Sequence, residues 1–296
     1  SQYFWPENFR INDLVLYLKD NDFDIDIVTS QPSYPNKSYF KNKKTNKTSQ
    51  FKKLKITRLP VIKRSRSNFS IFLNYLSFFF SISAYCFAMI FKRKDYDFFF
   101  IFCPSPIITS LPVIVLSRIF KIKIIIWVLD LWPSTLKDLG IIKNKFILNI
   151  LEKLIKYIYN SSDLILVQSK SFYKTIGKIS QTKKHIFYSW PEQNSLNLYN
   201  ISNNINKLPG YTYIVFTGNV GQAQGLSYLI ESAKLISKKS LRVKWVIVGD
   251  GRDYQNIKKL IKMYKLDDDF LLVGNIESKD VTKYFKIADA LFISLV

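Results

Sequence analysis

The chain has 296 residues, 48% of them hydrophobic and 16% aromatic, which is long enough for two domains and too apolar for disorder. Its formal net charge of +22 points to an anionic partner, while a single histidine, His185, leaves little material for a zinc site or a histidine-based dyad. The two cysteines, Cys86 and Cys103, sit in apolar surroundings without metal spacing and read as buried free thiols of a reducing compartment.

Taken in chain order, Asp13–Lys19 reads as a helix and Phe23–Thr29 as a strand ended by Gln31-Pro-Ser-Tyr-Pro35. Lys37–Lys55 is a polar basic loop, and Ile56–Val61 a short strand. Phe98–Cys103 is a strand closed by Cys103-Pro-Ser-Pro106, with a helix from there to about Phe120, for which Ser105 and Pro106 read as N-cap and first helical residue. Lys123–Leu129 is a buried strand ending at Asp130-Leu-Trp-Pro133. Asn144–Tyr159 has apolar residues at helical spacing, and Asp163–Val167 is a strand leading through Gln168-Ser169 into a helix. Tyr188–Pro209, with Trp190-Pro191 and six asparagines, reads as a linker, so two α/β domains are expected, 1–195 and 196–296. Ser1–Trp5 reads as the tail of a strand and Leu291–Val296 as an apolar run cut short, and the chain is read as a fragment. Asp163 and Asp289 both precede an apolar strand that ends in serine, an echo that two similarly wound halves would produce and chance would too.

The last part of the chain repeats one pattern. Apolar runs end in glycine clusters that open helical stretches: Tyr213 to Thr217 before Gly218, Gly221 and Gly225; Lys244 to Val248 before Gly249 and Gly251; and Phe270 to Val273 before Gly274 and Asn275. Strand, glycine turn and helix in succession describe βα units of a parallel sheet. Glycines at the carboxyl ends of such strands let backbone N–H groups and helix N-termini approach a phosphate. A dinucleotide fingerprint would need a glycine where Tyr254 stands, and no Walker-type GxxxxGK[ST] occurs, so a nicotinamide oxidoreductase is disfavoured.

Gly218-Asn-Val-Gly-Gln-Ala-Gln-Gly225, Val248-Gly-Asp-Gly-Arg252 and Ala288-Asp289 followed by Leu-Phe-Ile-Ser294 resemble the nucleotide-sugar half of a family 4 glycosyltransferase of the GT-B fold, two doubly wound Rossmann-like domains. Tyr3–Arg10, Pro32–Pro35, Trp127–Pro133 and Tyr188–Pro191 are similar to the acceptor half of the branch that builds O-antigen and capsule, including its fucosaminyl-type transferases. The resemblance implies a retaining, metal-independent transferase with no cofactor, moving a sugar from a UDP-type donor to a polyprenyl-diphosphate-linked glycan at the inner face of the plasma membrane. It implies donor contacts at Gly218, Asn219, Gly221, Gln224, Gly225, Gly249, Gly251, Arg252 and Gly274, with the base beside Asn275 and Ile276, where an ordinary turn reads equally well.

Two positions depart from the family. Asn219 and Gln224 stand where many members carry arginine and lysine, so the diphosphate would be held by N–H groups of the Gly218–Gly225 loop, the helix after it, and a cation such as Arg252 or Arg10. The family's sugar-gripping acidic motif would fall past Val296, which implies little transferase activity for this chain. Asp130 ends a buried strand, and the resemblance puts the acceptor-side polar group there, able to orient or deprotonate an acceptor hydroxyl; a helix-capping or turn aspartate is the alternative. Arg10 and Ser105 are the acceptor-side candidates beside it.

No acidic residue occurs from Ile27 through Lys94, where fifteen lysines and arginines fall, so an anionic membrane surface is the expected partner and a merely solvated lysine-rich loop the alternative. Phe69–Phe91 is uncharged and as a helix would span ~34 Å, enough to cross a bilayer. Ser70, Asn74, Ser77, Ser81, Ala84 and Ala88 draw a small-residue stripe opposite its aromatic face, which favours a core or interfacial helix. The competing class is a non-catalytic basic protein binding membrane or nucleic acid. With only Phe51 among the basic residues of Lys41–Lys55, nucleic acid is disfavoured.

Overall fold

The computed structural model describes residues 1–33, 51, 54–65, 67–92, 95–138, 140, 142–191, 205–239 and 241–295. Most of the basic loop from Lys37 and of the asparagine-rich linker lies outside these residues. The chain forms two compact units that divide between Trp190 and Pro191.

The first unit holds a parallel sheet β3-β4-β5-β6, made of Phe98–Cys103, Lys123–Val128, Leu164–Val167 and Lys184–Ile186. Beside it lies a parallel pair, β1 (Asp26–Ser30) and β2 (Lys55–Leu59). The strand expected at Phe23 begins at Asp26, because Phe23 closes the preceding helix by donating its N–H to Leu18 O (3.1 Å). Ser1–Phe4 runs alongside β1, with Ser30 N–H donating to Gln2 O at 3.1 Å, and Phe4 packs in one buried cluster with Ile27, Phe102 and Trp127, joining the two sheets.

Strands β3 to β5 are apolar on both faces because both are covered, the pattern of a parallel sheet interior. On one face Ile124, Ile126, Val128, Ile165 and Val167 meet α5 (Lys145–Asn160) through Ile155, Ile158 and Tyr159, and α6 (Lys170–Gly177) through Ile176. On the other, Phe102, Trp127 and Leu166 meet Ile11 and Val15 of α1 (Arg10–Asp20). Local capping sets the helix starts. The Asn144 side chain accepts from Phe146 and Ile147 N–H, and Ser169 Oγ accepts from Phe172 N–H.

Ser105 does not cap a helix. Pro106 takes extended backbone (φ −86°, ψ 144°), a 3₁₀ turn covers Ile107–Ser110, and α3 runs from Leu111 to Phe120. The helix therefore starts from Pro106, whose ring offers no acceptor, and Ser105 lies one residue too early.

Helix α2 (Asn68–Ile90) packs against α3 and β2. Its most buried line is Ile71, Asn74, Phe78, Ile82, Cys86 and Met89. The small-residue stripe shares Asn74 with it but otherwise runs one residue, about 100°, to the side. Ser77 Oγ accepts from Ile62 N–H at 2.9 Å and Ser81 Oγ donates to Pro60 O at 2.6 Å, so the stripe seats the segment after β2, while Ala84 and Ala88 are exposed. The short α4 (Ser134–Asp138) follows β4.

The second unit is one parallel sheet in the order β10-β7-β8-β9, formed by Ala290–Leu291, Thr212–Thr217, Val243–Val248 and Phe270–Gly274. Helices α7 (Leu226–Ser237) and α8 (Tyr254–Met263) cover one face through Leu229, Ile230, Ala233, Ile257 and Ile261. Helix α9 (Ser278–Ile287) covers the other through Ile287. The apolar run from Leu291 is strand only at Ala290–Leu291, and Ile293 and Leu295 are exposed.

The echo of Asp163 and Asp289 has a structural basis. Asp163 carboxylate accepts from Ile124 N–H at 2.7 Å while Asp163 N–H donates to Ile124 O; Asp289 does the same with Tyr213. Each aspartate ties the start of its strand to the start of the neighbouring parallel strand.

Candidate functional site

Counted from its own first strand, the second unit has the order 3-2-1-4. Its switch point lies between β7 and β10, where ligands of open α/β sheets bind outside the carboxyl ends of the strands. The Gly218–Gly225 loop leaves β7 at that place. Ser294, beyond β10, donates its hydroxyl to Gln224 O and fastens the loop to the far side of the switch point.

Three glycine turns lie side by side. Gly218 N–H donates to Val248 O (2.9 Å), Gly249 N–H to Gly274 O (2.8 Å) and Val220 N–H to Asp250 O (3.0 Å). A Cβ on Gly249 would stand 1.8 Å from Gly218 O, and one on Gly251 2.1 Å from Val220 O. Close approach of two backbones thus explains these two glycines before any ligand is considered.

The loop's N–H groups are less free than the sequence suggests. Those of Gly218, Val220, Gly221, Gln224 and Gly225 all donate within the protein. Gln224 is the reason at Gly221: its Oε1 accepts from Gly221 N–H (3.2 Å) and from Asn219 Nδ2 (3.4 Å). Asn219 and Gln224 are therefore bonded to each other and brace the loop. Among the described residues, the N–H groups of Asn219, Gln222 and Ala223 and those at the start of α7 stay open. Gly225 takes the left-handed conformation (φ 53°), no side chain among the described residues caps the first turn, and the N–H groups of Leu226 and Ser227 head a 12-residue helix with its positive dipole end.

Arg252 is exposed at the turn between β8 and α8, beside Gly251. Asn275 and Ile276 follow β9, with Ile276 packed against the cluster that holds Val246 and Val248. Hence the candidates Gly218 to Gly225, Gly249 to Arg252 and Gly274 to Ile276 gather at the carboxyl ends of three adjacent strands.

In the first unit, Asp130 lies just past β4, half-buried, and among the described residues it makes no hydrogen bond or ion pair. Burial pushes its carboxyl up from 3.8 to about 6. Capping does not account for it, because the N–H groups of Thr135 and Leu136 in α4 donate to Leu131 O and Pro133 O instead. It is a carboxylate with unused acceptor capacity at the carboxyl end of a central strand. Arg10 opens α1 and pairs with Asp13 (3.6 Å), whose carboxylate also accepts from Trp190 Nε1 (3.0 Å). Sequence reasoning passed over Trp127, fully buried with Nε1 lacking a partner among the described residues, and Glu7, buried and accepting from Ser33 N–H at 2.8 Å. Only their tertiary surroundings mark them. His185 projects from β6 to solvent, and among the described residues no three His, Cys, Asp or Glu side chains form a metal cluster.

Residues 200–295 match the family described as Glycosyl transferases group 1. The fold of both units matches solved structures. A glycosyltransferase from Rickettsia africae aligns at a TM-score of 0.65 with 13% identity, over 97% of this chain and 68% of the other. HepE from Anabaena, solved with UDP and glucose, aligns at 0.61 with 10% identity over 98% and 71%. The fold is GT-B. Among curated proteins, an uncharacterized glycosyltransferase of Methanocaldococcus jannaschii is 28% identical over 200 residues, covering 63% of this chain and 47% of that protein. The chain thus spans about half the length of that relative.

Proposed function

We propose that this chain carries the acceptor-side and nucleotide-side units of a retaining, metal-independent glycosyltransferase that moves a sugar from a UDP-type donor to a lipid-linked glycan in cell-surface polysaccharide assembly. The observation that carries the reading is the uncapped N-terminus of α7 behind Gly225, at the switch point of a 3-2-1-4 sheet. Two open N–H groups and a helix dipole there suit the diphosphate of a nucleotide sugar, and the binding of UDP by HepE supports the same ligand class. Asn219 and Gln224 keep the loop in shape, and Arg252 is the nearest candidate cation in sequence to the loops.

In transfer, the bond between the anomeric carbon and the diphosphate oxygen breaks, and a bond to the acceptor oxygen forms. Negative charge grows on the leaving diphosphate, where the α7 N–H groups stabilise it. As the acceptor oxygen bonds to the anomeric carbon its O–H bond breaks, and Asp130, mostly ionised above about pH 6, takes up that proton as general base. The test is acceptor-dependent UDP release by the protein, assayed with a panel of UDP-sugars and a polyprenyl-diphosphate-linked glycan. Asp130→Asn should lower turnover by ~10²–10⁴-fold with donor affinity retained. A panel giving no acceptor-dependent release, or an unchanged Asp130→Asn rate, sinks the reading.

A further inference from the structure

The outward face of α2 is unlike an ordinary solvated helix face. Phe69, Phe72, Leu76, Phe80, Phe87 and Phe91 recur at three-, four- and seven-residue steps and are all exposed, Phe72, Phe80 and Phe87 each by about 60% or more (59%, 61%, 64%). They lie opposite the packed line of Ile71, Phe78, Ile82 and Met89, so they form one apolar stripe ~33 Å long on a 23-residue helix. The stripe widens onto α3 through exposed Val115 and Ile119. A groove of about 330 Å³ lies between the two helices, floored by Cys86 and Leu116. Contiguous exposed apolar surface of this kind marks a binding face.

Charge identifies the occupant. Lys63 and Lys92 stand exposed at the two ends of α2, and the sequence adds Arg66, Arg93 and Lys94 beside them, with no acidic residue between Ile27 and Lys94. An apolar stripe with cations at both ends fits a lipid layer whose headgroups are negative. Crossing the bilayer is excluded by what the other side of the helix does. Ser77 and Ser81 hold the Pro60–Ile62 segment, Asn74 Nδ2 donates to Ile62 O at 2.7 Å, and Phe78 and Met89 lie in one core cluster with Leu59 and Leu116. A helix fastened into a domain along its whole length can only lie in the plane of the surface.

We propose that the exposed stripe of α2, continued by α3, docks this protein flat on an anionic bilayer, with the aromatic side chains among the acyl chains and the terminal lysines at the headgroups. The proposal stands on the α2 face and is independent of the transferase reading.

The test uses the whole chain labelled with an environment-sensitive fluorophore at Ala84→Cys, an exposed small-residue position that lies between Phe80 and Phe87 at helical spacing and so borders the aromatic stripe, and separately at Ser232→Cys on α7; native Cys86 and Cys103 are buried. With vesicles of phosphatidylglycerol and phosphatidylcholine, the Ala84 label should shift to the blue and the Ser232 label should not. Lys63→Gln and Lys92→Gln should each weaken partitioning about fivefold, the weight of one basic residue at such a surface. Phe72→Ser with Phe80→Ser and Phe87→Ser should weaken it at least tenfold, and circular dichroism checks that the triple variant keeps its helix content. Vesicle binding without a shift at Ala84, or a shift at Ala84 in the absence of vesicles, which would mean self-association, overturns the proposal. So does a failure to bind vesicles at low salt.

Discussion

If Gly249 is a glycine because two backbones meet there, replacing it should harm folding before ligand binding. A Cβ at that position would sit 1.8 Å from Gly218 O, far inside contact distance, on a residue whose φ of +142° L side chains rarely adopt. Backbone strain of this type costs about 1–3 kcal/mol and overpacking about 1–3 kcal/mol, against a gain of about 0.4–1 kcal/mol from a stiffer unfolded chain. Gly249→Ala should therefore destabilise the second unit by about 2–5 kcal/mol. Gly274 is the matched control: its φ is also positive (+78°), but the nearest atom to a new Cβ is Tyr254 Oη at 4.0 Å. Gly274→Ala should cost only about 1 kcal/mol, the strain without the collision. Hydrogen exchange of peptides spanning β7 and β8, in the whole chain, reads the second unit, and a β4 peptide from the first unit serves as internal reference. Equal protection of the two variants in β7 and β8 would refute the argument that backbone approach, and not a ligand, fixes Gly249.

Two other outcomes follow from the described contacts. Because burial raises the Asp130 carboxyl to about 6, the folded chain binds a proton there more tightly than the unfolded chain. That contribution to stability is fully present below about pH 4 and is lost as pH rises through about 6. Asp130→Asn should thus stabilise the protein at pH 7 by on the order of 1 kcal/mol, after allowance for partial solvent screening, and flatten its stability between pH 4 and 6; urea titrations showing Asp130→Asn destabilised at pH 7 would return it to a structural role. Asp163→Ala removes the carboxylate that accepts from Ile124 N–H and should cost about 1–3 kcal/mol in the same titrations, which a neutral result contradicts.

Much of the architecture is legible in the sequence because its signals are local. Apolar runs ending in glycine mark β7, β8 and β9, and Asn144 and Ser169 announce α5 and α6. Strand β6 is not legible: Lys184-His185-Ile186 has no apolar run and exists through pairing with β5. Ser105-Pro106 gives a good local cap signal, yet the helix begins elsewhere, since Pro106 itself occupies the capping place. Periodicity shows that α2 has contrasting faces but does not say which is covered; contacts to Pro60–Ile62 and Leu116 decide that. For the candidate site, glycine spacing locates the loop, but which of its N–H groups remain open depends on a side-chain contact, Gln224 to Gly221, that no spacing reveals.

The central claim is that a nucleotide diphosphate binds at the open start of α7, and it is tested most directly by titrating the chain and its Ser227→Glu variant with UDP, followed by NMR into the millimolar range. Ser227 is the second residue of α7, where a carboxylate favours the helix by about 0.3–1 kcal/mol but repels a diphosphate. The account predicts saturable UDP binding to the parent chain and at least tenfold weaker binding to Ser227→Glu, with thermal stability equal or higher. No UDP binding by the folded parent chain, or equal affinity in the two proteins, would contradict it.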